Sequence, residues 1–135
     1  MIRIFHGVDI VPVARIKDIM LAHPEFASEI FTDREREYCL SRPNPYIHFA
    51  GRFAAKEACL KALGTGLSGG GIDGALREVE IVPKKSGKPA LWLSGWTKKI
   101  GRRKKVYEQT VSISHSGDFA IASVILAAKT PDETD

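Results

Sequence analysis

The stretch HFAGRFAAKEACLKALG, residues 48–64, indicates the longest helix of the chain. It is rich in alanine, the best helix former, and it ends in Gly64, a residue type common just after a helix. At helical spacing the large apolar residues gather on one side and the small residues on another, so both sides are predicted to be buried. Two charged pairs then lie along the seams between those sides: Glu57 with Lys61, and Arg52 with Lys56.

The chain before this helix is predicted to hold one strand and two shorter helices. Residues 2–11 have the pattern of an extended segment broken at Gly7, with Asp9 among apolar neighbours. Pro12 suits the first turn of a helix that runs to Leu21. A capping-box pattern of Thr and Glu opens a short helix over residues 33–40, and the prolines at 43 and 45 are expected to interrupt the chain.

The chain after this helix is predicted to be mostly strand. The glycine-rich segment 65–74 follows a helix instead of preceding one, so it is expected to be a flexible loop and not a phosphate cradle. Two strand-like runs surround residues 84–88, with Gly87 in the turn, and residues 106–128 form two long strands joined at Ser116 and Gly117. The fold class is therefore α+β, an antiparallel sheet packed with one long and several short helices.

Length and composition indicate one soluble domain. The chain has 135 residues, of which 44% are hydrophobic and 27% charged, which excludes general disorder, a collagen-like chain and a coiled coil. Residues 1–128 are predicted to form the domain and residues 129–135 a polar tail. No stretch resembles a signal peptide or a membrane span. Two cysteines twenty residues apart fit reduced thiols, so a cytoplasmic location is expected.

A basic run at residues 98–105 accompanies the mildly positive net charge of +4. Such a run is by default a solvated face, and an anion-binding patch is the less favoured alternative. A nucleic-acid-binding module is a weak alternative, because the sequence carries no signature of an RNA-recognition motif, a KH domain or a zinc finger.

Polar residues that the local pattern does not demand occur at three places: Asp9, Glu57 with Lys61, and His115. Two carboxylates from different elements can share magnesium, while a lysine and a histidine can contact a pyrophosphate. Each residue also has a structural interpretation. Glu57 and Lys61 can be a surface ion pair, Asp9 can cap the helix that follows it, and His115 can be part of a turn. Spacing alone leaves these alternatives open.

Three blocks of the sequence resemble the signature blocks of the short bacterial 4′-phosphopantetheinyl transferases, the holo-[acyl-carrier-protein] synthase family. They are GVDIVPVARI (7–16), FAGRFAAKEACLKALGTG (49–66) and SISHSGDFAIASVI (112–125), and SGKP (86–89) resembles a hairpin of the family. The resemblance implies a 4′-phosphopantetheinyl transferase fold. It also implies the transfer of phosphopantetheine from coenzyme A to a serine of apo acyl carrier protein, in support of fatty acid biosynthesis. A different magnesium-dependent phosphotransfer enzyme is the alternative.

The resemblance also implies roles for individual residues. Asp9 and Glu57 match magnesium ligands, and Lys61 matches the catalytic lysine beside the pyrophosphate. Residues that match coenzyme A contacts are Arg52, Lys61, Pro89 and His115, and Arg15 matches a contact to the carrier protein. The short type implies a homotrimer whose active sites lie at subunit interfaces. The expected partners therefore include neither nucleic acid nor a membrane.

Overall fold

A computed structural model describes residues 1–65 and 72–130 and confirms the α+β class. In the described residues a first strand is followed by five helices in succession, and four more strands and one more helix follow. The elements are β1 (Ile2–Pro12), α1 (Val13–Ala22), α2 (Phe26–Ile30), α3 (Asp33–Leu40), α4 (Pro45–Ala62), α5 (Ile72–Ala75), β2 (Val79–Pro83), β3 (Pro89–Leu93), α6 (Gly95–Arg103), β4 (Val106–Ser116) and β5 (Phe119–Lys129).

The main sheet is antiparallel with the order β1-β5-β4, and β2 and β3 form a separate hairpin. Helix α4 packs against the inner face of this sheet, and its alanine-rich side is buried there together with alternate residues of β5. Because strand side chains alternate between faces, Gly7, Asp9 and Val11 of β1 all lie on the face toward α4. The register places Asp9 opposite Ala122 of β5, the central strand of the sheet.

The predicted break of the first strand at Gly7 is wrong, because β1 runs without interruption and pairs with β5 on both sides of this residue. The glycine serves a close approach of two backbones instead. A Cβ atom at Gly7 would lie 1.9 Å from the carbonyl oxygen of Ala58 and 2.8 Å from the amide nitrogen of Ala62. The missing side chain therefore lets α4 lie directly on β1, next to Asp9.

Helix α4 begins at Pro45, three residues before the predicted start at His48. Pro45 does not interrupt the chain here, because proline at the first position of a helix loses no intrahelical hydrogen bond. The basic run lies mostly on α6, a helix that the sequence did not predict. Only Thr97, Ile100 and Gly101 of α6 are buried, and its lysine and arginine side chains are exposed.

Several local predictions are confirmed. The capping box that opens α3 is present, with Thr32 accepting from the backbone of Glu35 and the Glu35 side chain accepting from the backbone of Thr32. Gly87 has a φ of 90° in the hairpin turn, and Gly117 has a φ of 59° between β4 and β5. Of the predicted glycine-rich loop 65–74, residues 66–71 lie outside the described residues, and the prediction is wrong for its last part, where α5 begins at Ile72.

The predicted tail begins at Lys129, and the structure places this residue at the end of β5, paired with Ile2 of β1. Residues 131–135 lie outside the described part of the chain. The helices within the described ranges include none with the length and apolar character needed to cross a membrane. Both cysteines are free and buried, and burial raises the pKa of each thiol to about 12.

Candidate active site

Asp9 and Lys61 form the centre of the candidate site, at the contact between β1 and the last turn of α4. The Lys61 ammonium donates to Asp9 Oδ1 at 2.9 Å and to the backbone carbonyl of Val8 at 3.1 Å. Asp9 is only 9% exposed. Its other oxygen, Oδ2, is buried and has no hydrogen-bond partner among residues 1–65 and 72–130. A buried carboxylate oxygen without a donor is costly, so this atom is suited to a ligand.

Glu57 lies beside Asp9, one helical turn before Lys61. Burial, together with the adjacent Asp9 carboxylate, raises the pKa of Glu57 to about 7. The positive charges of Lys61 and Arg15 oppose this rise. Two carboxyl groups this close repel each other when both are ionised, and a cation between them would remove the repulsion.

The structure excludes the helix-capping alternative for Asp9 and gives Lys61 a partner outside its own helix. Asp9 does not cap α1, because the N-cap is Pro12 and no side chain makes a capping hydrogen bond there. The ion pair of Lys61 is formed with Asp9 of β1 and is therefore a contact between two elements of the fold. An ion pair between Glu57 and Lys61 on an exposed helix face therefore does not account for the contact between Lys61 and Asp9.

Arg52 lies on another side of α4, within a group of basic and aromatic side chains. Its guanidinium carbon is 4.0 Å from the centre of the Tyr38 ring, and the guanidinium of Arg42 is 5.3 Å from the same ring. Arg52 is 6% exposed, and its Nε atom is buried without a hydrogen-bond partner in the described residues. This group, which we call the basic cluster, therefore carries an unused donor among concentrated positive charge.

Two histidines complete the basic cluster. The His115 Nε2 atom is 3.0 Å from the backbone carbonyl of Ile47, and the His115 and His48 rings meet edge to face at 6.1 Å. Partial burial and the neighbouring charges of Arg52, Arg42 and His115 lower the pKa of His48. Positive charge that disfavours a protonated histidine favours a bound anion at the same place. His115 thus has both a structural contact and a position suited to phosphate.

A cavity of about 500 Å³ borders the basic cluster, lined by Arg34, Glu37, Tyr38, Ser41, Val82 and Pro83. Pro89 does not line it, but it pairs with Pro83 across the β2–β3 hairpin. Pro89 instead borders a smaller cavity of about 190 Å³ between β3 and β4. The hairpin therefore connects the predicted Pro89 contact with the cavity beside Tyr38.

The structure brings some of the predicted residues together and separates others. Asp9, Glu57 and Lys61 form one group, and the exposed Arg15 is close enough to act on the charge of Glu57. Arg52 does not join them, since five residues of helix rotate it by about 140° around α4 from Glu57. Within this chain the predicted site therefore consists of two separate parts.

Three members of the basic cluster were not predicted: Tyr38, Arg42 and His48. Their sequence positions carried no signal, because Tyr38 lies in a short helix, Arg42 follows that helix, and His48 resembled an ordinary helix residue. Only the packing of α3 against the first half of α4 brings them to Arg52.

Comparison with known proteins identifies the class of protein. The model of the 4′-phosphopantetheinyl transferase superfamily matches residues 6–124, and the chain belongs to this family. The chain is 42% identical over 122 residues to a holo-[acyl-carrier-protein] synthase of Caldanaerobacter subterraneus, covering 90% of this chain and 93% of the relative.

Solved structures give the same result. An ACPS–CoA complex from Chronobacterium ammoniagenes superposes with a TM-score of 0.81 at 29% identity, covering 95% of this chain and 99% of that one. A Helicobacter pylori holo-[acyl-carrier-protein] synthase in complex with coenzyme A gives 0.74 at 31% identity, with 90% and 98% covered. The predicted family, fold and enzyme class are confirmed: the chain is a 4′-phosphopantetheinyl transferase.

Proposed function

We propose that this enzyme transfers the 4′-phosphopantetheine group of coenzyme A to a serine of apo acyl carrier protein, releasing adenosine 3′,5′-bisphosphate. The activity supports fatty acid biosynthesis. Relatives that match nine-tenths of the chain are holo-[acyl-carrier-protein] synthases, and related structures hold coenzyme A. The observation that carries the proposal is the crowding of the Asp9 and Glu57 carboxylates beside the Lys61 ammonium.

Asp9 and Glu57 hold Mg²⁺ in this proposal. The fit rests on two adjacent carboxylates and on the buried Oδ2 atom of Asp9, which has no donor among the described residues. The described residues contain no cluster of three or more His, Cys, Asp or Glu side chains suited to a metal. Two carboxylates suit Mg²⁺, which commonly takes one or two protein carboxylates and fills its other positions with water and substrate phosphate. When bound, Mg²⁺ polarises phosphoryl oxygens and offsets their charge.

The side chains around Asp9 bind and orient the reacting groups. Lys61 keeps its ammonium at the carboxylates, where it offsets negative charge that collects on the leaving adenosine 3′,5′-bisphosphate. The carrier serine attacks the β-phosphorus, and its proton goes to Glu57 or to a water molecule. Catalysis of this kind depends on positioning and on electrostatic stabilisation, as is usual for phosphoryl transfer.

The basic cluster binds the phosphates of the nucleotide end of coenzyme A. Arg52 and His115 supply donors there, and the unpartnered Nε of Arg52 supports this assignment. Pro89 shapes the adjoining hairpin and contacts the nucleotide. Arg15 is exposed on α1 near Glu57 and meets an acidic side chain of the carrier protein, so the carrier serine reaches the carboxylate site from that side.

The active enzyme is a homotrimer with active sites between subunits. Support comes from the outer face of the main sheet, where apolar side chains of β1 and β5 are exposed: Ile2, Ile4, Val8, Ile10, Phe119 and Ile125. Such a patch marks an interaction surface. The separation of Arg52 from Glu57 around α4 also favours a site completed by a second copy. The two free, buried thiols are compatible with the predicted cytoplasmic location.

Mass spectrometry tests the proposal directly. Apo acyl carrier protein incubated with coenzyme A, Mg²⁺ and the enzyme is expected to gain the mass of one phosphopantetheine group, and an unchanged mass would refute the activity. Asp9→Asn and Glu57→Gln remove charge with little change of shape, so each is expected to lower turnover about 10²- to 10³-fold. Full activity of both variants in EDTA-treated protein with graded Mg²⁺ would remove the metal role and leave the reaction standing.

A further inference from the structure

Lys56 has a fully buried ammonium that makes three hydrogen bonds. Its side chain is 0% exposed, and Nζ donates to Glu35 Oε1 at 2.7 Å, to the carbonyl of Leu76 at 2.9 Å and to the carbonyl of Val79 at 2.7 Å. An ammonium has three N–H groups, so all three have acceptors. The resemblance implies no role for this residue, although it lies in one of the matching blocks and directly precedes Glu57 in the chain.

Glu35 is the other half of this contact and is equally buried. Its Oε1 atom also accepts from the backbone of Thr32 at 2.9 Å, and its Oε2 atom accepts from the backbone of Ile81 at 2.8 Å. One ion pair therefore connects α3, α4, the turn before β2, and β2 itself. We call Lys56 and Glu35 together the buried pair.

A buried ion pair is weak evidence for stability, because the cost of removing both charges from water offsets much of their attraction. Its hydrogen bonds are directional, however, so it fixes the arrangement of the elements that it joins. Here four separate backbone groups receive or donate a bond within 3.0 Å. An apolar contact in the same place would allow α4 to rotate or slide.

The buried pair and the carboxylate site, Asp9 with Glu57, lie on different sides of α4, so the rigidity of the buried pair affects where Glu57 lies. Consecutive helix residues are rotated by about 100°. Lys56 therefore anchors the side of α4 that faces away from the sheet, while Glu57 points toward Asp9. On the opposite side α4 lies on the bare backbone of Gly7. The helix is thus held between the buried pair and β1, and the placement of Glu57 depends on both contacts.

We propose that Lys56 and Glu35 are positioning residues for the transferase reaction. They set the rotation and height of α4 so that Glu57 and Lys61 meet Asp9, and through Ile81 they hold the β2–β3 hairpin to the same helix. Neither residue touches the substrate. The inference rests on the proposed roles of Asp9 and Glu57 at the carboxylate site.

The test compares a neutral double variant, Lys56→Met with Glu35→Gln, with a control that loses stability elsewhere. Ile100→Ala removes buried apolar contacts of α6, a helix that carries none of the predicted site residues, and is chosen for a similar loss of melting temperature. Activity is measured at a temperature where circular dichroism shows every variant folded. If the double variant fails to fold, Glu35→Gln alone replaces it, because this change keeps one acceptor for Lys56.

The buried-pair variant is expected to lose at least about 10-fold in kcat, since a displacement of 1 Å at a reacting group can cost about 10²-fold. Its KM for coenzyme A should change little by comparison. Binding of Mn²⁺ in the presence of coenzyme A, followed by electron paramagnetic resonance, should weaken in parallel. Ile100→Ala should keep kcat within about twofold and bind Mn²⁺ normally. Equal kcat and Mn²⁺ affinity in the two variants would overturn the inference.

Asp9→Asn is measured in the same assays, so that a failure of the positioning role can be told from a failure of the proposed carboxylate site. If Asp9→Asn loses turnover and Mn²⁺ binding while the buried-pair variant keeps both, only the positioning role is overturned. If Asp9→Asn keeps both, the proposed carboxylate site is wrong and the positioning inference falls with it.

Discussion

Replacing Gly7 by alanine is expected to separate β1 from α4 at the point where both carry site residues. The new Cβ would lie 1.9 Å from the Ala58 carbonyl oxygen, 2.9 Å from its carbon and 2.8 Å from the Ala62 amide nitrogen. Ordinary contact begins at about 3.5 Å, so the two backbones must move apart by about 1.6 Å. No flexible side chain is involved, and the displacement therefore cannot be absorbed by a change of rotamer.

The magnitude follows from this geometry. Overpacking a core usually costs about 1–3 kcal/mol, and a clash between two backbones belongs at the upper end of that range. At about 4 °C per kcal/mol for a chain of this size, a loss of ~3 kcal/mol lowers the melting temperature by about 12 °C. Turnover should fall further than stability predicts, because the same displacement opens the bonds from Lys61 to Asp9 and Val8.

Urea denaturation followed by circular dichroism measures the free energy of unfolding, and mass spectrometry of the carrier protein measures turnover. Gly101→Ala is the matched control, because a Cβ there meets only Leu93 Cδ1 at an ordinary 3.5 Å inside a helix. Alanine is the better helix former, so this control should gain up to about 1 kcal/mol. A Gly7→Ala protein within about 0.5 kcal/mol of wild type would refute the close approach of α4 and β1.

Three further substitutions test separate parts of the site. Gly51→Ala places a Cβ 3.2 Å from the His115 Nε2 atom and 2.9 Å from a methyl group of Ile113. Displacement of His115 should raise the KM for coenzyme A several-fold with little effect on the KM for the carrier. An unchanged KM for coenzyme A would argue against a nucleotide contact by His115. Arg15→Glu should raise the KM for the carrier about 10-fold or more and make this KM less sensitive to salt. Arg103→Glu, which makes the same charge change on α6, should do neither. Equal effects of the two substitutions would mean that the net charge of the protein causes the rise in KM. The third variant replaces Lys98, Lys99, Arg102 and Arg103 on the exposed face of α6 with glutamine. Both KM values should stay within about twofold and the melting temperature should be nearly unchanged, since exposed charges contribute little singly. A fall in kcat/KM for the carrier would instead show that this face attracts the carrier.

Local sequence patterns predicted most elements because each pattern has a local cause. The long helix follows from its alanine content, and the capping box at the start of α3 involves residues only three apart. The errors arose where the cause is distant in sequence. The predicted break at Gly7 ignored the helix that covers it, and the predicted start of α4 treated Pro45 as a breaker when it is the first helical residue.

The candidate site divides in the same way. Asp9, Glu57 and Lys61 could be chosen from the sequence because charged residues at packed positions are exceptional. The contact between Lys61 and Asp9 could not, since it joins residues 52 apart. Lys56 and Glu35 are 21 residues apart, and nothing in either local pattern indicates that they pair. The basic cluster depends on the packing of α3 on α4, which no periodicity specifies.

The two parts of the candidate site lie on different sides of α4, and one bound coenzyme A molecule must reach both. Glu57 lies toward Asp9 on one side, while Arg52 lies about 140° away, stacked on Tyr38. One coenzyme A molecule that used both within a single subunit would have to pass around a helix whose inner side is buried against the sheet. A second subunit removes this obstacle if its basic cluster faces the first subunit's carboxylates. Mixing Asp9→Asn subunits with Arg52→Ala subunits should therefore restore part of the activity that each variant lacks alone, and no restoration after subunit exchange would place the whole site in one chain.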